Sequence, residues 1–239
     1  MSMPSTAKST SPLIELTVTL IIPSLILMKL SGAENLGAVN ALLAALAFPL
    51  GWGVREYLRQ RKFNFFAALG FVSVLLTGGI GLLQLDPQWL AVKEAAIPAV
   101  LGLAVLGSTF TRYPLVRALL FSPAIMQVER IQAALDTHGT RAAFEIKLIH
   151  ATWMLAGSFL FSAVMNYLLA TWIVTSAPGT EAFNEELGRL TLLSYPVIAL
   201  PSMLIMMGAL FYLARALRQL AGLSLSDILR DAKNEQHTS

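Results

Sequence analysis

The chain has 239 residues, 56% of them hydrophobic and only 13% charged, where a soluble domain carries about a quarter charged residues. With a mean hydropathy of +0.66 and a net charge of only +3, the composition excludes an ordinary soluble domain and a basic nucleic-acid binder, and calls for lipid as a second solvent. Cysteine is absent and the three histidines, His138, His150 and His237, are scattered, so no disulfide framework, metal cluster or cofactor is expected.

Residues 1–11 are polar and Ser/Thr-rich and read as a disordered tail. The run 12–30 is interrupted by Glu15 and Lys29 and has only Lys8 before it, so it reads as an uncleaved first span rather than a signal peptide. Pro23 should kink it. The second span is 36–54, followed by the densest basic run, Arg55 to Lys62. The third is 63–83, Asp86-Pro87 makes a turn, and the fourth runs 89–110. The 112–147 segment is different: Ile125, Val128, Ile131 and Leu135 recur at helical spacing with Gln127, Glu129, Arg130 and Gln132 between them. That pattern predicts an amphipathic helix over about 122–136 lying in the membrane interface. The fifth span is 148–174, residues 175–189 read as an acidic loop, and the sixth span is 190–214. In the tail, 215–239, Ser224 and Asp227 precede Ile228-Leu229 and suggest a short capped helix.

With six spans, fourteen of the seventeen Lys and Arg residues fall on one side: Lys8, the 55–62 loop, the 112–147 segment and the C-terminal tail. Only Lys29, Lys93 and Arg189 fall on the other. The positive-inside rule then puts both termini in the cytoplasm.

Charges inside apolar runs cost at least ~2.5–3.5 kcal/mol at the bilayer centre and so mark function by default. Glu15 lies one turn inside the first span. It reads as reaching the headgroups or pairing with a basic residue of 112–147, or alternatively as a proton-titrating carboxylate. Asp86, Trp89 and Lys93 are spaced by three and four, so one face of the fourth helix would hold all three. Asp86 would cap the helix, Trp89 would anchor at the interface, and Lys93 would snorkel past it. Together with Glu94, the alternative is a polar pocket for a lipid headgroup or cell-wall precursor. Two stripes repeat at i, i+4, i+8: Ser73, Thr77 and Gly81 beside Gly78 and Gly79, and Ser158, Ser162 and Asn166 beside Gly157. They read as close helix packing, with Asn166 facing the bundle, before they read as an aqueous path. His150 reads as an interfacial histidine. No Walker loop, dinucleotide fingerprint, HExxH or G-x-S-x-G occurs.

The stretches RQRKFN, TGGIGLLQLDPQWLAVKEAAIPA and YPLVRALL, and more weakly FEIKLIHATWMLAGSFLFSAVMNYLLA, resemble the intracellular septation protein A family of bacterial inner-membrane proteins, and more closely its larger relatives. Gly78, Gly79, Asp86, Trp89, Lys93, Pro114, Leu115 and Arg117 match that pattern, as do Trp153, Gly157 and Asn166. The resemblance covers roughly residues 12–174. It implies a non-enzymatic role in envelope synthesis and septation, through contact with elongation and division proteins. It carries over no catalytic residue. The chain departs from the shorter members in its N-terminal tail, its 122–147 insert and its longer 175–189 segment.

The expectation is therefore an all-α, polytopic membrane bundle of six transmembrane helices with cytoplasmic termini and an interfacial amphipathic helix. Its expected partners are membrane lipids and envelope-synthesis or division membrane proteins, with no nucleic acid and with self-association left open. The rival expectation is a small transporter or lipid carrier. It would use Glu15, Lys93 and Glu94 as coupling charges and Pro23, Pro49, Pro98, Pro196 and Pro201 as hinges.

Overall fold

The computed structural model describes residues 12–60, 65–111 and 128–223. All regular structure among them is helical. Helix α1 comes in three consecutive pieces, Pro12–Leu16, Thr17–Ile21 and Ile22–Lys29. It is followed by α2 (Gly37–Gln60), α3 (Phe65–Leu82), α4 (Gln88–Ser108), α5 (Val128–Thr137) and α6 (Arg141–Ile173). The last, α7, spans Glu181–Ala221 in three consecutive pieces, Glu181–Ser194, Tyr195–Ala199 and Leu200–Ala221. Four of these, α2, α4, α6 and α7, are long and apolar enough to cross a membrane, and α3 holds a shorter apolar helix over Ala68–Leu82. In hydrocarbon every backbone N–H and C=O must find a partner within the chain, and a helix supplies them all within one segment.

The described residues form two compact units, one from Met1–Ala95 with Met165–Ile198 and one from Ala96–Val164 with Ala199–Ser239. In the first, Leu27, Leu42, Leu90, Leu169, Phe183 and Leu187 are among the buried core side chains. α3 lies close against α2, because a Cβ on Gly78 would meet Leu46 at 2.7 Å and one on Gly81 would meet Leu42 at 2.6 Å. Small residues at such crossings let helices approach where no hydrophobic force separates lipid from protein. In the second unit the core gathers Ile131, Leu135, Phe144, Leu148, Leu155, Leu213 and Leu217.

Three sequence expectations change. The apolar face of α5 is expected to rest on lipid; Ile131 and Leu135 are instead buried in a cluster with Phe144, Leu148 and Leu217 of the same unit. The 175–189 stretch is not a loop throughout. The Thr180 hydroxyl accepts from Phe183 N and caps a helix that begins at Glu181 and carries Glu185, Glu186 and Arg189 on its first turns. α6 starts at Arg141, two turns before the expected span. The 1–11 tail, residues 61–64, residues 112–127 and the helix expected after Ser224 lie outside the described residues.

Pro196 lies inside a π-helical turn, Tyr195–Ala199, and the other four prolines expected as hinges divide into two kinds. Pro49 and Pro98 sit within α2 and α4 with no interruption of the helix. Pro23 and Pro201 each follow a π-helical turn by two residues, Thr17–Ile21 and Tyr195–Ala199 respectively. A proline ring clashes with the carbonyl one turn earlier, and a wide turn displaces that carbonyl. Hydroxyls prepare both places: Thr17 and Thr19 donate to Leu13 and Glu15 carbonyls, and Thr191 and Ser194 to those of Leu187 and Leu190. Such back-bonding bends helices. The expected kink at Pro23 thus takes the form of a wide turn before it.

Within the first unit Gly188 faces the least yielding neighbour, since a Cβ there would stand 2.9 Å from the Ser24 carbonyl and 2.7 Å from Met28 Cγ. A backbone atom cannot swing aside as the Leu46 methyl opposite Gly78 can. Gly188→Ala should therefore lower thermal stability in detergent by about 1–3 kcal/mol, and Gly78→Ala by clearly less. Equal melting temperatures for the two variants would refute a tight α1–α7 crossing at Gly188.

Candidate functional site

In the network around Lys93 an otherwise apolar segment holds a largely covered cation. Lys93 lies at the second turn of α4, and its side chain is 9% exposed. Its ammonium donates to the Thr77 hydroxyl of α3 at 2.7 Å and to Glu94 Oε1 at 2.6 Å. Thr77 in turn donates to the Ser73 carbonyl at 3.1 Å. A threonine hydroxyl has one hydrogen and two lone pairs, so it can serve both neighbours at once. Residues adjacent on a helix point about 100° apart, so Lys93 and Glu94 meet only by bending their long side chains together. The result is a charge-neutral cluster that fastens α4 to α3. The two glycines that seat α3 against α2, Gly78 and Gly81, follow Thr77 within one turn. α3 thereby gives its small residues to one neighbour and its hydroxyl to the other.

Asp86 stands at the α4 N-terminus, where its Oδ1 accepts from Gln88 N at 2.8 Å and satisfies a helix-end donor. Trp89 is 60% exposed. Trp89 and Lys93 therefore part company: the indole faces outward, and the ammonium turns inward to Thr77 instead of snorkelling. Among the expected site residues, only Lys93 and Glu94 are brought into contact. Gly78 is packed into its helix contact, while Gly79 has open space where a Cβ would stand. Glu15 is exposed, and no hydrogen bond or ion pair of its carboxylate is found among the described residues. Asn166 is half-buried and bonded. His150 is exposed, with its Nδ1 3.4 Å from the Tyr212 hydroxyl. Pro114 and Arg117 lie outside the described residues. In the second stripe, Ser158 donates to the Ser202 carbonyl of α7 at 2.9 Å.

A second polar cluster has no counterpart among the sequence expectations. Asn184 is 1% exposed and donates through Nδ2 to the Ser31 hydroxyl at 3.0 Å and to the Ala38 carbonyl at 2.7 Å. It ties the turn between α1 and α2 to α7. Close by in sequence, the Glu186 carboxylate accepts four hydrogen bonds from Thr175 and Ser176 and closes the turn after α6. Both lie in the stretch read as loop. The signal for them is the spacing of Phe183, Leu187 and Leu190 behind Thr180, which is a helix pattern with a cap.

Chemically, these clusters hold helices together. Neither presents a nucleophile beside a base, and no group of three or more metal-ligating side chains occurs among the described residues. No family model matches the chain, and no curated protein or solved structure matches it.

Removing one partner from an ion pair shielded from water strands the other, which is costlier than removing both, and Lys93–Glu94 is such a pair in part. Lys93→Met should therefore destabilise the protein by about 1–3 kcal/mol in detergent melts, and Lys93→Met with Glu94→Leu should recover part of that loss. Thr77→Val should cost less, about 1 kcal/mol, in line with hydrogen bonds between membrane helices. Additive effects of Lys93→Met and Thr77→Val would show the two side chains to be energetically independent.

Proposed function

We propose that the chain is a six-span protein of the bacterial inner membrane, with both termini cytoplasmic, that serves envelope maintenance or division without catalysing a reaction. It would act through contacts of its helix faces with lipid and with envelope-synthesis or division membrane proteins. The observation that carries this reading is the Lys93–Glu94–Thr77 cluster. The charges a carrier would use for coupling neutralise each other and join two helices. The same role is what the sequence resemblance to the septation protein A family implies, although no family model matches the chain.

The six-span count adds α1 and α3 to the four long helices. α3 has 18 residues, about 27 Å of helix against a hydrocarbon core of ~30 Å. The lopsided distribution of Lys and Arg supports cytoplasmic termini. A small transporter or lipid carrier is the second reading. It is favoured by the π-helical turns ahead of Pro23 and Pro201, since wide turns in helices often accompany function.

Two measurements test these readings. The chain has no native cysteine, so single cysteines report cleanly. Glu34→Cys in whole cells should react with a membrane-impermeant thiol reagent, because six spans put the α1–α2 turn outside. Protection of that cysteine until the cells are opened would reduce the count to four. Loss of the chain should lengthen cells or sensitise them to inhibitors of wall synthesis, with Ser73→Cys and Ser162→Cys closed to small aqueous thiol reagents. A normal envelope with both cysteines reactive would hand the function to the carrier reading.

A further inference from the structure

Within the second unit, α6 and α7 run antiparallel. Thr140 donates to the Leu220 carbonyl, His150 meets Tyr212, Met154 lies against Gly208, and Ser158 donates to the Ser202 carbonyl. One edge of this pair carries Lys147 and His150 from α6, with Tyr212 and Arg215 from α7. The Lys147 ammonium sits 5.6 Å from the centre of the Tyr212 ring, within cation–π range. Arg215 follows Tyr212 by one turn and is exposed. Neither Lys147, Arg215 nor Arg218 has a carboxylate partner among the described residues, whereas Lys93, Arg141 and Arg189 each have one. Glu145, two residues before Lys147, is half-buried and already engaged.

These cations stand where the apolar run of α6 begins at Leu148 and that of α7 ends at Ala214, the level at which a bilayer presents its headgroups. Toward the apolar side the same helices expose Trp153 and Phe211, 54% and 68% accessible. We propose that this edge seats one anionic phospholipid. Its phosphate would lie between Lys147 and Arg215, its polar headgroup beside His150 and the Tyr212 hydroxyl, and an acyl chain along Trp153 and Phe211. Unpaired cations with an aromatic shelf below them fit a charged head on an apolar tail, and fit a soluble anion less well. The Thr140–Leu220 bond and the Lys147–Tyr212 contact hold the edge in place before a lipid arrives.

This inference rests on the membrane reading of the chain. The full chain, purified in a neutral detergent, would be titrated with phosphatidylglycerol and with phosphatidylcholine, and bound lipid counted by native mass spectrometry. Phosphatidylglycerol should bind preferentially, and Lys147→Gln with Arg215→Gln should weaken it about tenfold. Lys147→Arg with Arg215→Lys should retain binding, which separates charge from folding. Arg189→Gln, at a paired arginine far along α7, should leave binding unchanged. Equal binding of the two lipids, or undiminished binding by the double Gln variant, would overturn the site. Competition by millimolar glycerol phosphate would overturn the lipid as occupant and make this a soluble-anion site. Failure of the protein to sediment with membranes would instead sink the membrane reading itself.

Discussion

In hydrocarbon a polar group has no water to fall back on, and the cost of leaving one unpaired shapes this molecule at every level. The backbone answers with helices throughout the described residues. The hydroxyls answer by bonding to carbonyls one turn back, as Thr17, Thr152, Thr171, Thr191 and Ser194 do. The largely covered ammonium of Lys93 answers with Glu94 and Thr77. Some of these groups also join one helix to the next. Lys93 is the extreme instance, because its charge makes the demand largest and its long stem, reaching α3, makes the bond a tertiary one.

The same demand explains the turn ends. Asn184 supplies donors to a hydroxyl and a carbonyl at the α1–α2 turn, and Glu186 collects the free N–H groups of Thr175 and Ser176. Connections that emerge from an apolar bundle carry backbone groups outside any helix, and one amide or carboxylate can satisfy several of them. The acidic residues after Thr180 therefore serve the architecture and are not merely a soluble loop.

Much of the local structure is legible in the sequence, because it depends on spacing along one segment. The long apolar runs form helices, Asp86 forms a cap, and Ile131 and Leu135 form the buried face of α5. What covers that face is not legible: periodicity says that a stripe is buried and is silent on whether lipid or protein buries it. The bond between Lys93 and Thr77 is out of reach for a related reason. Both residues stand out, one as an intramembrane charge and one in a small-residue stripe, but their meeting depends on how α3 and α4 are rotated after the turn at Asp86. The helix beginning at Glu181 escapes a sequence reading because four charges in nine residues outweigh the spacing of Phe183, Leu187 and Leu190.

The wide turn in α1 has a consequence for descent. A π-helical turn closes on the fifth residue rather than the fourth, so it accommodates one residue more than the α-helix around it. A sequence that shed one residue between Thr17 and Ile21 would close that turn on the fourth residue, as in the α-helix around it, and Leu13, Ile14 and Glu15 on one side and Ser24 and Leu27 on the other would keep their places. A single residue can therefore be gained or lost inside this apolar helix with the contacts on either side left in register. A distant relative would align with a one-residue gap just ahead of the proline, in the middle of a segment where gaps are ordinarily least expected.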